Sequence, residues 1–266
     1  MTAPVADAAG RIDPMEQFQV APLLGRHMNL FGWDVSFTNS ALFMVVTGVL
    51  LAIFMSGGLK RQLIPGRWQV AVEDAVGFID NMVTTNIGPQ GKHFAPYLFT
   101  LFFFILFANV IGVAPIAILP HLHTFAVTSH ITVTAVLAFV SFGIVLAVGF
   151  AKHGLRFFSL FVPHGAPVWL MPVIIPVEFV SFMVRPFSLA LRLFVAMTAG
   201  HVLLEVLSGF VINSTNAGAG YGIGVGIPSF LLMIGICALE LLVSAIQAYV
   251  FALLTSLYIN DAVNLH

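Results

Sequence analysis

Residues 168–211 read VWLMPVIIPVEFVSFMVRPFSLALRLFVAMTAGHVLLEVLSGFV, an apolar stretch carrying four charges, Glu178, Arg185, Arg192 and Glu205. As one helix it would be about 65 Å long at ~1.5 Å per residue, roughly twice the thickness of a bilayer's hydrocarbon core. Either two short spans or one inclined helix fits that length. No polar turn divides the stretch, so the expectation is one long helix over 168–212, kinked at its prolines and strongly tilted in a membrane.

The remainder of the chain supports a membrane setting. Of 266 residues, 59% are apolar and 8% charged, against about 25% charged in a soluble domain; mean hydropathy is +1.03. Ten Lys and Arg with eleven Asp and Glu cannot cover a soluble protein of this size. The expected class is an all-α polytopic membrane protein, a single membrane domain over 1–266 with about five membrane helices. A net charge of −1 leaves no footprint for nucleic acid. One cysteine, Cys237, excludes a disulfide framework and a cysteine-based zinc site.

With charges this sparse, the gaps between them mark the spans. Residues 1–34 carry Asp7, Arg11, Asp13, Glu16 and Arg26 and no apolar core, so they read as a polar N-terminal segment and not a cleavable signal. Span 1 covers 35–59 and ends in Gly57-Gly58, with Lys60, Arg61 and Arg67 beyond. The positive-inside rule places those cations in the cytoplasm and the N-terminus outside. In 67–88, Trp68, Val72, Val76, Ile79, Val83 and Ile87 recur every three or four residues opposite a charged face, the pattern of an interfacial amphipathic helix. Spans 2 and 3 occupy 93–151, divided at Pro120-His121-Leu122-His123 and followed by Lys152, His153 and Arg156, again cytoplasmic.

A glycine-rich loop, 213–226, follows the long helix. It is no phosphate loop, since no strand precedes it and no lysine completes it. The final tilted helix covers 228–260, with Pro228 suited to its first turn, and returns as an antiparallel hairpin to a cytoplasmic C-terminus. No internal repeat is visible.

A charge at membrane depth costs about 2.5–3.5 kcal/mol on insertion scales, and such residues usually mark an ion or proton pathway. Glu178, Arg185 and Arg192 are spaced by seven and share a helical face. Glu178 and Arg185 lie towards the cytoplasmic end, where Glu178 could neutralise Arg185 or either could reach the interface. His201, nine residues after Arg192, falls on the opposite face, with Glu205 one turn beyond. Glu240, Ser244 and Gln247 share a face of the final helix. In an antiparallel hairpin His201 and Glu240 stand at similar depth, and so do Arg192 and Gln247, one to two turns deeper. Arginine does not deprotonate, so Arg192 reads as an electrostatic barrier or counter-ion; His201 facing Glu240 reads as a proton-transfer pair. His121, His123 and His130 lack a neighbouring carboxylate or cysteine and read as loop residues, so neither a metal nor a cofactor is expected.

These residues form a pattern. Pro186-Phe-Ser-Leu-Ala-Leu-Arg192-Leu-Phe, then Ala199-Gly-His201, resembles the signature of subunit a of the F-type ATP synthase. Pro176-x-Glu178, Gln247-Ala-Tyr-Val-Phe, Asn109-x-x-Gly112 with Pro115, and Thr128-Ser129-His130 resemble other parts of that family, from about residue 17 onward. His201 with Glu240 is similar to the alphaproteobacterial and mitochondrial variant. Ala196 departs from the pattern, which usually has Asn there, and Glu205 is an unusual charge at its position.

The resemblance implies a proton-translocating stator subunit in the bacterial inner membrane, with no chemistry of its own, in contact with a ring of c subunits and with b-type peripheral-stalk subunits. Arg192 would then interact with ring carboxylates and separate two half-channels. His201 and Glu240, with Glu205, would line the outer one and Glu178 the cytoplasmic one; Ser244 would belong to the proton path, and so would Gln247, beside Arg192. The alternative from the residues alone is an independent proton-coupled transporter in which Arg192 binds an anionic substrate.

Overall fold

In the computed structural model the described residues are 29–30, 33–34, 38–59, 66–113, 126–162, 168–216 and 222–264. Most of the expected polar N-terminal segment, Lys60, Arg61, Pro115, the turn with His121 and His123, and residues 217–221 of the glycine-rich loop lie outside them. The protein is an all-α polytopic membrane protein. Its helices are α1 (Asn39–Ser56), α2 (Arg67–Asn86), α3 (Ala95–Val113), α4 (Ile131–His153), α5 (Met171–Asn216) and α6 (Ile227–Val263). Among the described residues five segments are long and apolar enough to cross a membrane: α1, α3 with its 3₁₀ lead-in Pro89–Phe94, α4, α5, and α6 with the π-helical turn Gly222–Gly226. A two-residue antiparallel pair, β1 (Asn29–Leu30) and β2 (Trp33–Asp34), is the one sheet among the described residues.

The start of α1 is set by Thr38, an extended N-cap whose hydroxyl oxygen accepts from the Ala41 amide. Its end is set by Gly57-Gly58. The Trp68 indole N–H donates to the Phe54 carbonyl (3.2 Å), and its ring meets Phe54 edge-on. A Cβ on Gly57 would overlap the Trp68 ring, and one on Gly58 would stand 2.8 Å from Val72 Cγ1. The glycine pair therefore lets α2 dock against the end of α1.

On α2, Val72, Ile79 and Val83 are buried, as is its C-cap Ile87, but Trp68 and Val76 are 55% and 44% exposed. Gln69 and Met82, at the two edges of the same face, are buried as well. Buried Gln69 is tolerated because its amide donates to Glu73 Oε1 (2.8 Å). At the far end Asn86 donates to Ser256 Oγ of α6 (3.0 Å).

The most enclosed spanning segment is the one containing α3. Leu98, Leu101, Phe102, Ile105, Ala108, Asn109 and Gly112 are all buried, so α3 presents its core face to α6 and its flanks to the other helices. Tyr97 and Ser141 share a 2.7 Å hydrogen bond between α3 and α4, and Phe142 packs on Phe182 between α4 and α5. His153 Nε2 donates to the Val263 carbonyl (3.0 Å), and Lys152 donates to Gln90 (3.1 Å). The C-terminal ends of α4 and α6 thus meet the lead-in of α3 at one end of the molecule.

The hairpin of α5 and α6 dominates the fold. α5 has 46 residues, about 69 Å at the helical rise, and α6 has 37, about 55 Å. Pro176 and Pro186 stand inside α5, each removing one backbone hydrogen bond. α5 continues to Asn216, four residues past the expected end, because 213–216 complete a last helical turn. There buried Ser214 lies so close to Gly226 that a Cβ would strike its hydroxyl. Glycine at that position closes the hairpin.

Gly57→Leu should push Trp68 off the end of α1 and cost about 1–3 kcal/mol, the usual scale of overpacking. Thermal unfolding of the detergent-solubilised protein, read by Trp fluorescence, checks this; an unchanged midpoint and spectrum would exclude the docking role of the glycine pair.

Candidate functional site: a buried His–Glu pair behind an exposed arginine

His201 of α5 is buried, and its two ring nitrogens face oxygen atoms. Nε2 lies 3.2 Å from the Gly112 carbonyl at the end of α3. Nδ1 lies 3.0 Å from the Met197 carbonyl and 2.5 Å from Glu240 Oε1. A carbonyl oxygen only accepts, so Nε2 carries a hydrogen and donates to Gly112. By the same rule Nδ1 carries a hydrogen when it donates to Met197, which sets an imidazolium beside the Glu240 carboxylate; the alternative moves that proton to the carboxyl and gives up the Met197 bond. The two states differ in the position of one proton, so the contact is chemically able to hold a proton in either place.

Glycines make room for this contact. A Cβ on Gly200 would lie 2.6 Å from Glu240 Oε1 and 2.8 Å from its Cδ. A Cβ on Gly112 would lie 2.7 Å from Ala126 Cβ and 3.4 Å from His201 Nε2. Glu240 is 2% exposed, and its Oε2 has no hydrogen-bond partner among the described residues. Leaving a buried acceptor unmatched costs about 1–3 kcal/mol.

The surroundings are polar and enclosed. Ser244, one turn after Glu240, is fully buried, with its hydroxyl 3.9 Å from Met197 Sδ. Its carbonyl accepts from buried Asn109 of α3 (3.3 Å). Thr198 donates to the Ser129 carbonyl (3.4 Å), which brings the 126–129 segment against the same turn of α5.

The remaining candidates are dispersed. Contacts of His201 with Glu240 and of Met197 with Ser244 fix the antiparallel register. Continuing that register sets half-buried Gln247 level with Phe194, about 3 Å along the axis from Arg192; no hydrogen bond joins the two among the described residues. Glu205 is half-buried one turn beyond His201, and Glu178 is half-buried near the other end of α5. Arg192 is exposed, among Phe187, Leu191 and Val195, which are also exposed, and meets no carboxylate among the described residues. The possible neutralisation of Arg185 by Glu178 is not what the structure shows. Arg185 pairs instead with Asp261 of α6 at 2.8 Å. A seven-residue spacing along a helix separates the two side chains by about 10 Å, whereas the guanidinium reaches Asp261 on the facing helix.

The family profile of the ATP synthase A chain matches residues 41–260. The chain belongs to this family. ATP synthase subunit a of Sphingopyxis alaskensis is 65% identical over 263 residues, covering 98% of this chain and 100% of the relative. Subunit a of Novosphingobium aromaticivorans is 62% identical (97% and 100% covered), and that of Zymomonas mobilis 61% (97% and 99%). The ATP synthase A chain profile thus spans every side chain placed in the site, and ends one residue before Asp261.

Gly200→Val should drive the Glu240 carboxyl away from His201. The expected result is a shifted Glu240 carboxyl band in the infrared difference spectrum and at least about tenfold slower ATP-driven proton pumping, if general proton-transfer contributions of 10²–10⁴ apply. A wild-type spectrum with wild-type pumping would mean that the glycine is not what admits the carboxyl.

Proposed function

We propose that this chain is the proton-translocating stator subunit of the membrane sector of an F-type ATP synthase, with two offset half-channels that lead to a rotating ring of carboxylate-bearing c subunits. The observation that carries the reading is the position of Arg192. It is an exposed, permanent cation within the apolar length of α5 and has no carboxylate partner among the described residues. An arginine so placed is costly in lipid and calls for an anionic partner from another chain. A passing carboxylate supplies one.

The roles follow from the chemistry. Protons enter from outside past Glu205 to His201 and Glu240, with Ser244 in the same enclosed turn, and protonate a ring carboxylate. After nearly a full turn of the ring they leave on the cytoplasmic side past Glu178. Arg192 favours the ionised form of the carboxylate beside it and opposes a direct proton wire between the half-channels. Gln247, nearly level with Arg192, fits a neutral hydrogen-bonding neighbour. One elementary charge across ~100 mV is worth about 2.3 kcal/mol, so a leak would dissipate the energy that drives rotation. Peripheral-stalk b-type subunits hold the chain against the ring. The basic ends at Arg67, Lys152 and Arg156 support a cytoplasmic C-terminus and an outer N-terminus in the bacterial inner membrane.

Arg192→Ala should assemble, fail to pump protons on ATP in inverted vesicles, and leak more once the soluble head is stripped. Normal pumping by an assembled complex would reject the barrier role. Glu205→Gln should slow ATP synthesis driven by an imposed proton gradient and shift its dependence on external pH. Identical synthesis at every external pH would remove Glu205 from the path.

A further inference from the structure

Arg185 and Arg192 are the two arginines of α5, seven residues apart. Seven residues is within about 20° of two full turns, so both guanidinium groups project from nearly one side of the helix, about 10 Å apart along it. Their surroundings differ. Arg192 is exposed and unpaired among the described residues. Arg185 donates to Asp261 Oδ2 at 2.8 Å, and its guanidinium carbon stands 4.8 Å from the Tyr258 ring centre and 5.3 Å from that of Phe182. The Arg185 side chain is 21% exposed and that of Asp261 38%. One arginine is therefore enclosed by a carboxylate and two aromatic faces from its own chain, and the other is open.

We infer that Asp261 is a positioning residue that masks Arg185, leaving Arg192 as the single arginine of α5 open to a mobile carboxylate. The inference rests on the proposed stator function, since it concerns the ring carboxylates which that reading brings to α5. A moving carboxylate must find one attractive site at one depth. Two open guanidinium groups 10 Å apart would offer it two, and the second would hold it ionised away from the half-channel that should protonate it. Asp261 cancels the charge of Arg185, while Tyr258 and Phe182 hold the guanidinium plane against α6. Asp261 does this through Arg185; it needs no contact with the proton path.

The test compares Asp261→Asn, Arg185→Gln, the double variant Arg185→Gln/Asp261→Asn and Arg192→Ala in the complete complex in inverted vesicles, with subunit content measured in each. Masking predicts that Asp261→Asn slows ATP-driven pumping about fivefold or more, and that adding Arg185→Gln restores it to within about twofold of the parent, a coupling visible as non-additivity. A double variant as slow as Asp261→Asn would overturn the inference, because Asp261 would then act in its own right, as a proton acceptor or a structural clamp. Wild-type pumping by Asp261→Asn would overturn it also. If Asp261→Asn does not assemble, the double variant still decides: masking requires it to assemble and pump, and a clamp role requires it to fail. Arg192→Ala separates this inference from its foundation. Pumping by assembled Arg192→Ala sinks the stator reading, and the masking with it; loss of pumping there beside a neutral Asp261→Asn sinks the masking alone.

Discussion

The cost of placing charge in an apolar medium governs the hairpin of α5 and α6, and the chain meets it in three ways. His201 and Glu240 lie 2.5 Å apart and can divide one proton between them, so neither must stay charged alone. Arg185 cannot lose its proton, and it takes an ion partner in Asp261 with two aromatic faces. Arg192 has the same chemistry as Arg185 and takes no carboxylate from the described residues. In the proposed function the open charge meets a carboxylate of another chain.

The close contacts depend on backbone approach, and glycine supplies it. Gly200 leaves the space into which the Glu240 carboxyl fits, and Gly112 lets the 126–129 segment close over the end of α3. Gly112 also contributes the carbonyl that accepts from His201 Nε2. The site therefore draws on α3, α5 and α6 together. α3 is the most enclosed of the spanning segments, and it forms the rigid wall against which the hairpin register is set. Asn109 reinforces that register by donating to the carbonyl of Ser244 rather than to a side chain, so it holds the backbone of α6 directly.

Much of this was legible in the sequence because charges were few. The uncharged gaps outlined five spans, and the missing polar turn in 168–212 implied one long helix. Spacing alone placed His201 and Arg192 on opposite faces, and one is buried and the other exposed. Three features escaped. Asp261 lies one residue past the expected end of the last helix, at 260, so it was not considered as a membrane charge, and Arg185 was given Glu178 as its neutralising partner instead. Which residues of α2 are enclosed is set by contacts with α1, α3 and α6, not by periodicity, so Trp68 and Val76 are exposed while Gln69 and Met82 are buried. The last turn of α5 forms because Ser214 packs on Gly226, a contact between residues on either side of the loop that no local pattern encodes.

The division of α5 into two faces also explains why an arginine and a glutamate can coexist in one hairpin without cancelling. An open Arg192 on the face that meets Glu240 would be drawn towards that carboxyl, and the pair would form an ion bridge that neither proton nor ring carboxylate could use. The nine-residue step from Arg192 to His201 turns the helix by half a revolution and advances it by about 13 Å. The helix itself then separates the two groups, with the His201–Glu240 pair inside the protein and the permanent charge outside it. In the proposed mechanism the first must exchange protons and the second must never do so. A single long helix with opposed faces keeps those requirements apart without a second element to insulate them.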